Sequence, residues 1–134
     1  MEVHIYIAAG CRCPKKMYRN ASYRLEVETA AGTKWRNGES WAEMTLHQAE
    51  LTALAGALGR LTKPCCLIIH TTSGYLCKNL REGRPWKWAK AGWTTAKGEP
   101  VANREEWLEV LKILKGKPFK VVLEGVPGEN RGKP

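Results

Sequence analysis

Val3, Ile5 and Ile7 alternate with His4 and Tyr6, and this period of two predicts a strand over residues 2–9. Tyr23, Leu25 and Val27 alternate with Arg24, Glu26 and Glu28 in the same way, giving a half-buried strand over residues 21–29. Ala31-Gly32-Thr33 then turns the chain into a third strand around residues 34–44. From residue 46 to 61 the period becomes helical. Leu51, Leu54, Ala55, Leu58 and Leu61 form one apolar stripe, and Pro64 stops the helix soon after. Residues 65–70 are a continuous apolar run of strand length, as a buried parallel strand requires. Thr71-Thr72-Ser73-Gly74 is a polar turn into a second helical stretch. Farther on, Asn103 and Glu106 make a capping-box pattern, and Trp107, Val110, Leu111 and Leu114 form the buried face of the helix that follows. Gly116 ends that helix, and residues 119–123 read as a last strand. The order makes an α/β domain over residues 1–124, a mixed sheet with a crossover helix, followed by a flexible tail over residues 125–134. Many activities use such sheets, so the pattern alone names none.

Composition narrows the classes. The chain has 134 residues, enough for one core. The opening apolar run lacks a basic stretch before it and is too short for a signal peptide or a membrane span, so a mature cytoplasmic protein without membrane contact is expected. A formal charge of +9 points to a polyanionic partner, nucleic acid first. The charge is also concentrated. Lys78, Arg81, Arg84, Lys87, Lys90 and Lys97 face a single acid, Glu82, and Trp86, Trp88 and Trp93 interleave with them. Five cysteines, an odd number, argue against a disulfide framework. Cys11-Arg12-Cys13 and Cys65-Cys66 lack zinc-finger spacing, and they fall at opposite ends of the sheet if their strands run parallel. No metal site is read from them, and idle or buried thiols are the expectation.

All thirteen acids are glutamates; the chain has no aspartate. That absence acquires meaning from two motifs. Thr45-Leu46-His47-Gln48-Ala49-Glu50-Leu51 is similar to the T-N-N-x-x-E-L that opens the first helix of type-one ribonuclease H. Trp88-Ala89-Lys90-Ala91-Gly92-Trp93-Thr94-Thr95-Ala96, continuing to Pro100-Val101-Ala102-Asn103 and Trp107, resembles that family's W-K-K-x-G-W-x-T-A, P-V-x-N and W pattern. With Val3-His4-Ile5-Tyr6 and the Ser73-Gly74-Tyr75 turn, the resemblance covers roughly residues 2–124. It implies an RNase H-like α/β fold: a mixed five-stranded sheet, three antiparallel strands then parallel ones, with helices on its faces and the family's terminal helix missing.

The family hydrolyses RNA paired with DNA through two Mg²⁺ ions, which need a cluster of oxygen ligands. By resemblance only Glu50 keeps its acid. The first-strand aspartate falls on Ala8, or on Ala9 if the register slips by one, and the later-strand acid on Thr72. The fourth acid belongs to the missing helix, and a mobile histidine of the family falls near Val126. One carboxylate leaves the charge of two Mg²⁺ ions largely unmatched, so the expectation is a catalytically inactive member with no cofactor. Residual cleavage through Glu50 and His70, with Mg²⁺ or a softer ion such as Mn²⁺, is the alternative.

The binding residues implied are Thr45 and Gln48 at the helix start, and Arg84, Trp86, Lys87, Trp88, Lys90 and Lys97 on the basic protrusion. They would engage the backbone of an RNA/DNA hybrid or duplex. Trp93 and Trp107 read instead as core anchors. A further alternative is a protein scaffold or homodimer that docks through an uncovered patch or sheet edge. A fragment of a longer protein is a third reading.

Overall fold

A computed structural model describes residues 2–9, 13–61, 65–115 and 117–124. The predicted tail at 125–134, Val126, Cys11, Pro64 and Gly116 lie outside the described residues. The strands are β1 (Glu2–Ala9), β2 (Met17–Thr29), β3 (Gly32–Met44), β4 (Cys66–Thr71) and β5 (Phe119–Leu123). The helices are α1 (Leu46–Leu58), α2 (Gly74–Glu82), α3 (Arg84–Lys90) and α4 (Arg104–Leu114). The strands form one sheet in the order β3-β2-β1-β4-β5. β1–β2 and β2–β3 are antiparallel, while β4 runs parallel to both β1 and β5. This is the mixed five-stranded sheet that the sequence implies.

Alternation sets which face is covered. Val3, Ile5 and Ile7 of β1, Leu67 and Ile69 of β4, and Val121 of β5 are all buried on the same side. α1 lays Leu51, Leu54 and Leu58 over that side and meets β1, β2 and β3, while α2 meets β4 and β5. α4 packs on α1 through Trp107, Val110 and Leu114. Fully burying each of these aliphatic side chains is worth about 1.5–3 kcal/mol. Among the described residues the helices therefore pack on this face of the sheet. The other face carries His4, Tyr6, Ile68, His70 and their cross-strand neighbours, and among the described residues no helix covers it.

Local expectations are corrected at two places. β2 starts at Met17, ahead of the strand predicted over residues 21–29, and this places Arg19 within it, buried. Its guanidinium bonds the carbonyls of Met44 (3.0 Å), Cys13 (2.6 Å) and Lys15 (2.7 Å), which is how a charge that cannot be shed is accommodated inside. At α4, Asn103 occupies the N-cap position in a left-handed conformation, φ 63°, and makes no side-chain cap bond. Its amide donates to the Tyr75 hydroxyl at 3.3 Å instead, so the capping box with Glu106 does not form. A capping box does form at α1, between Thr45 and Gln48.

Candidate nucleic-acid interface and acid site

The start of α1, the turn after β4 and the protrusion converge at one edge of the molecule. Thr45 Oγ1 accepts from the Gln48 N–H at 3.2 Å, and Gln48 Oε1 accepts from the Thr45 N–H at 2.9 Å. Both side chains proposed for nucleic-acid contact thus also hold the helix start, and the Gln48 NH₂ remains its donor group. One helical turn on, Glu50 is buried, 5% exposed. Its Oε1 accepts from Ser73 Oγ at 2.8 Å and lies 3.1 Å from His47 Nδ1. Ser73 in turn caps α2, accepting from the Leu76 N–H at 3.1 Å. The carboxylate is therefore fixed between two helix starts.

His47 and Ser73 are the residues that sequence reasoning passed over. The His47–Glu50 spacing of three on one helix and the Ser73-Gly74-Tyr75 turn were the available signals. His47 stacks on Tyr75 with ring centroids 3.8 Å apart and a 10° interplanar angle. Tyr75 accepts from Trp107 Nε1 at 2.9 Å, and Trp107 meets Trp88 edge-on at 6.1 Å. Trp88 also lies 6.5 Å from Trp93, at a tilt. A continuous set of rings thus ties the acid site to the protrusion.

The remaining acid positions are placed as follows. Ala8 lies on the open face near the end of β1, opposite Ser22. Thr72, half-buried, leads from β4 toward Ser73. His70 is not joined to Glu50. It sits on the open face, with Nε2 2.8 Å from His4 Nδ1 and Nδ1 2.7 Å from Glu124 Oε2. Both ring nitrogens are occupied there, and β4 alternation points His70 away from the α1 side.

Around Glu50 the structure places the Ser73 hydroxyl and the His47 imidazole beside its one carboxylate. Two Mg²⁺ ions need several charged oxygens, so these residues do not fit the pair. Among the described residues, no group of three or more His, Cys, Asp or Glu side chains is placed to hold a metal ion. Cys65, Cys66 and Cys77 are free thiols. Burial is the main cause that pushes the Cys65 thiol above its ordinary range.

On the protrusion, Arg84, Lys87, Lys90 and Lys97 are exposed, with Arg84 also paired to Glu82 at 2.8 Å. Trp86 and Trp88, expected at the surface, are half-buried against the core. Trp86 stacks on Phe119 at 5.8 Å, because seven-residue α3 needs an apolar side to seat it on the body. Trp93 and Trp107 are core residues, 8% and 0% exposed. Gly92 (φ 77°), Trp93 (φ 67°) and Gly98 (φ 85°) turn the segment back after α3, which places Lys97 at the tip side of that turn.

The RNase H family model matches residues 2–132. The chain belongs to the ribonuclease H family. Its similar relatives include a protein named Ribonuclease H from Pelobacter propionicus, 45% identical over 76 residues, covering 55% of this chain and 45% of that protein. Another of that name, from Xanthomonas campestris pv. campestris, is 42% identical over 66 residues, covering 49% and 43%. The match thus spans about half the length of these curated relatives. The fold is similar to that of LC9-RNase H1, with a TM-score of 0.74 at 18% identity over 96% of this chain and 65% of that one. It is also similar to the foamy viral protease–reverse transcriptase in complex with RNA/DNA hybrid: TM-score 0.69, 19% identity, 92% of this chain and 17% of that one. No helix among the described residues of this ribonuclease H family chain is long and apolar enough to cross a membrane.

Proposed function

We propose that this chain binds RNA/DNA hybrids through their backbone and does not cleave them by the two-metal route. The reading rests on the motif resemblance, which matches Glu50 to one of the family's acids and puts Ala8 and Thr72 at two other acid positions. Thr45 and the Gln48 amide at the start of α1 reach one strand, and Arg84, Lys87, Lys90 and Lys97 on the protrusion neutralise phosphates of the other. Trp86 and Trp88 act by holding that protrusion rigid, with their exposed edges against sugars. RNA/DNA hybrid is the substrate class that family membership favours.

A second reading has its own support. The relatives named Ribonuclease H reach 45% identity, which favours hybrid cleavage, and Glu50 is firmly positioned by Ser73 and His47. One experiment separates the two. Fluorescence anisotropy of a labelled hybrid, with DNA and RNA duplexes alongside, is followed over a salt series, and the same samples are run for cleavage with Mg²⁺ and Mn²⁺. Binding with a steep salt slope and no cleavage is expected. Absence of binding at low salt refutes the proposal, and cleavage lost in Glu50→Gln replaces it with the nuclease reading.

A further inference from the structure

The open face of the sheet has its own chemistry. Register places Glu2, His4, Tyr6 and Ala8 of β1 on it, with Tyr18, Arg24, Glu26 and Glu28 of β2 and Trp35, Glu39, Trp41 and Glu43 of β3. The strand glutamates all fall on this face. Glu124, bonded to His70, adds another. Against these, the Arg and Lys residues on the strands of this face are Arg24 and Lys120, and Arg24 is bound to Glu26 at 2.7 Å. Glu26 and Glu124, after burial, help push the Tyr6 phenol above its ordinary range. A chain of net charge +9 has thus segregated a negative surface on the side away from its protrusion.

The same face is aromatic. Tyr6, Tyr18, Trp35 and Trp41 are 37%, 64%, 56% and 55% exposed. Tyr18 stacks on Trp41 at 5.6 Å, Arg24 lies 4.5 Å over the Trp35 ring, and Tyr6 stacks on His70 at 4.3 Å. Between the two aromatic groups runs an open hollow of about 560 Å³, floored by Tyr6, Ala8, Ser22, Arg24, Asn37 and Glu39. The strands flanking it are about 4.8 Å apart and a helix is about 10 Å wide, so one helix spans two strands here.

We propose that this face is a docking surface for a cationic amphipathic helix of a partner protein, its apolar stripe on the aromatics and its Lys and Arg residues against the flanking glutamates. Charge complementarity selects the occupant. Phosphates are repelled by the glutamates, which disfavours nucleic acid. A second copy would have to present its own basic protrusion, giving a head-to-tail contact that does not close and that occupies the hybrid-binding element.

The test uses the full chain and two synthetic helical peptides of about 18 residues, five turns, with the same leucine stripe, one with lysine and one with glutamate at the other positions. Isothermal titration and ¹⁵N NMR shift mapping read the result. The lysine peptide is expected to bind saturably and to shift the amides of Tyr6, Arg24 and Asn37 and the Trp35 and Trp41 indoles. Glu2→Lys/Glu43→Lys should weaken it about tenfold or more while hybrid binding stays unchanged. Trp41→Ser is the second variant and should weaken it independently. The proposal is overturned by no saturable binding, by equal binding of the glutamate peptide, or by shifts confined to α1–α4. It is equally overturned by self-association through this face or by a single-stranded RNA that shifts the same amides.

Discussion

Replacing Arg19 by methionine removes the charge but keeps most of the volume, so it isolates the polar contribution of a cation that is 2% exposed. The carbonyls of Met44, Cys13 and Lys15 lose a charged donor. Met44 is buried, and stranding its carbonyl costs about 1–3 kcal/mol. Cys13 and Lys15 are at or near the surface and recover water, so each loses only about 0.5–1 kcal/mol. The sum is about 3 kcal/mol, a large share of a typical domain stability of about 5–15 kcal/mol. Urea unfolding followed by tryptophan fluorescence reads it. With a slope of about 1.5–2 kcal/mol per molar, the midpoint should fall by about 1.5–2 M. Arg19→Lys should recover only part, since one ammonium cannot reproduce the planar fork. A loss below about 1 kcal/mol in Arg19→Met would refute the reasoning, because it would mean that the carbonyls are satisfied as well without the guanidinium.

Other outcomes follow from the same geometry. Lys87→Glu/Lys90→Glu should weaken hybrid binding and flatten the salt slope by about two units, checked by anisotropy from low to moderate salt. Gly38→Ala drives a Cβ into the Tyr23 ring and should cost about 1–3 kcal/mol, with Tyr23→Leu restoring part of it in a double-mutant cycle. Ser73→Ala removes both a Glu50 partner and the cap of α2, and thermal unfolding should show a loss of about 1–2 kcal/mol. The raised Cys65 thiol keeps its proton in the folded chain where the unfolded chain gives it up, so stability should decline as pH rises above about 9, and less so in Cys65→Ser. Urea midpoints taken from about pH 8 to about pH 10.5 test that sign.

The sheet was legible because β1, β4 and the covered side of β2 write burial directly as alternation or apolar runs. α1 was legible for the same reason, although Thr45 and Gln48 were read as binding residues and not as its capping pair. The start of β2 was not, since Lys15, Lys16 and Arg19 look like one exposed basic loop until tertiary carbonyls close around Arg19. Asn103 misled because Tyr75, 28 residues away, competes for its amide. At the site, Glu50 and the exposed lysines could be placed from motif spacing. His47 was signalled locally by its spacing of three from Glu50, but bringing Ser73 to the same carboxylate needed the packing of two helix starts. The one-sided placement of the glutamates was present in the strand alternation, but it becomes visible only when the register of all five strands is known.

Placing β1 at the centre of the sheet also fixes how the molecule must assemble. With β2 and β3 it forms an antiparallel meander that closes locally, whereas its parallel partner β4 arrives much later in the chain, as the 66-residue separation of the bonded His4 and His70 records. Such a pairing requires a long loop to close before it contributes any energy, so it belongs late on the folding path and slows it. A chain emerging from the ribosome therefore holds one edge of its central strand unpaired until the second half of the sequence has been made, and that interval is when it is most exposed to mispairing.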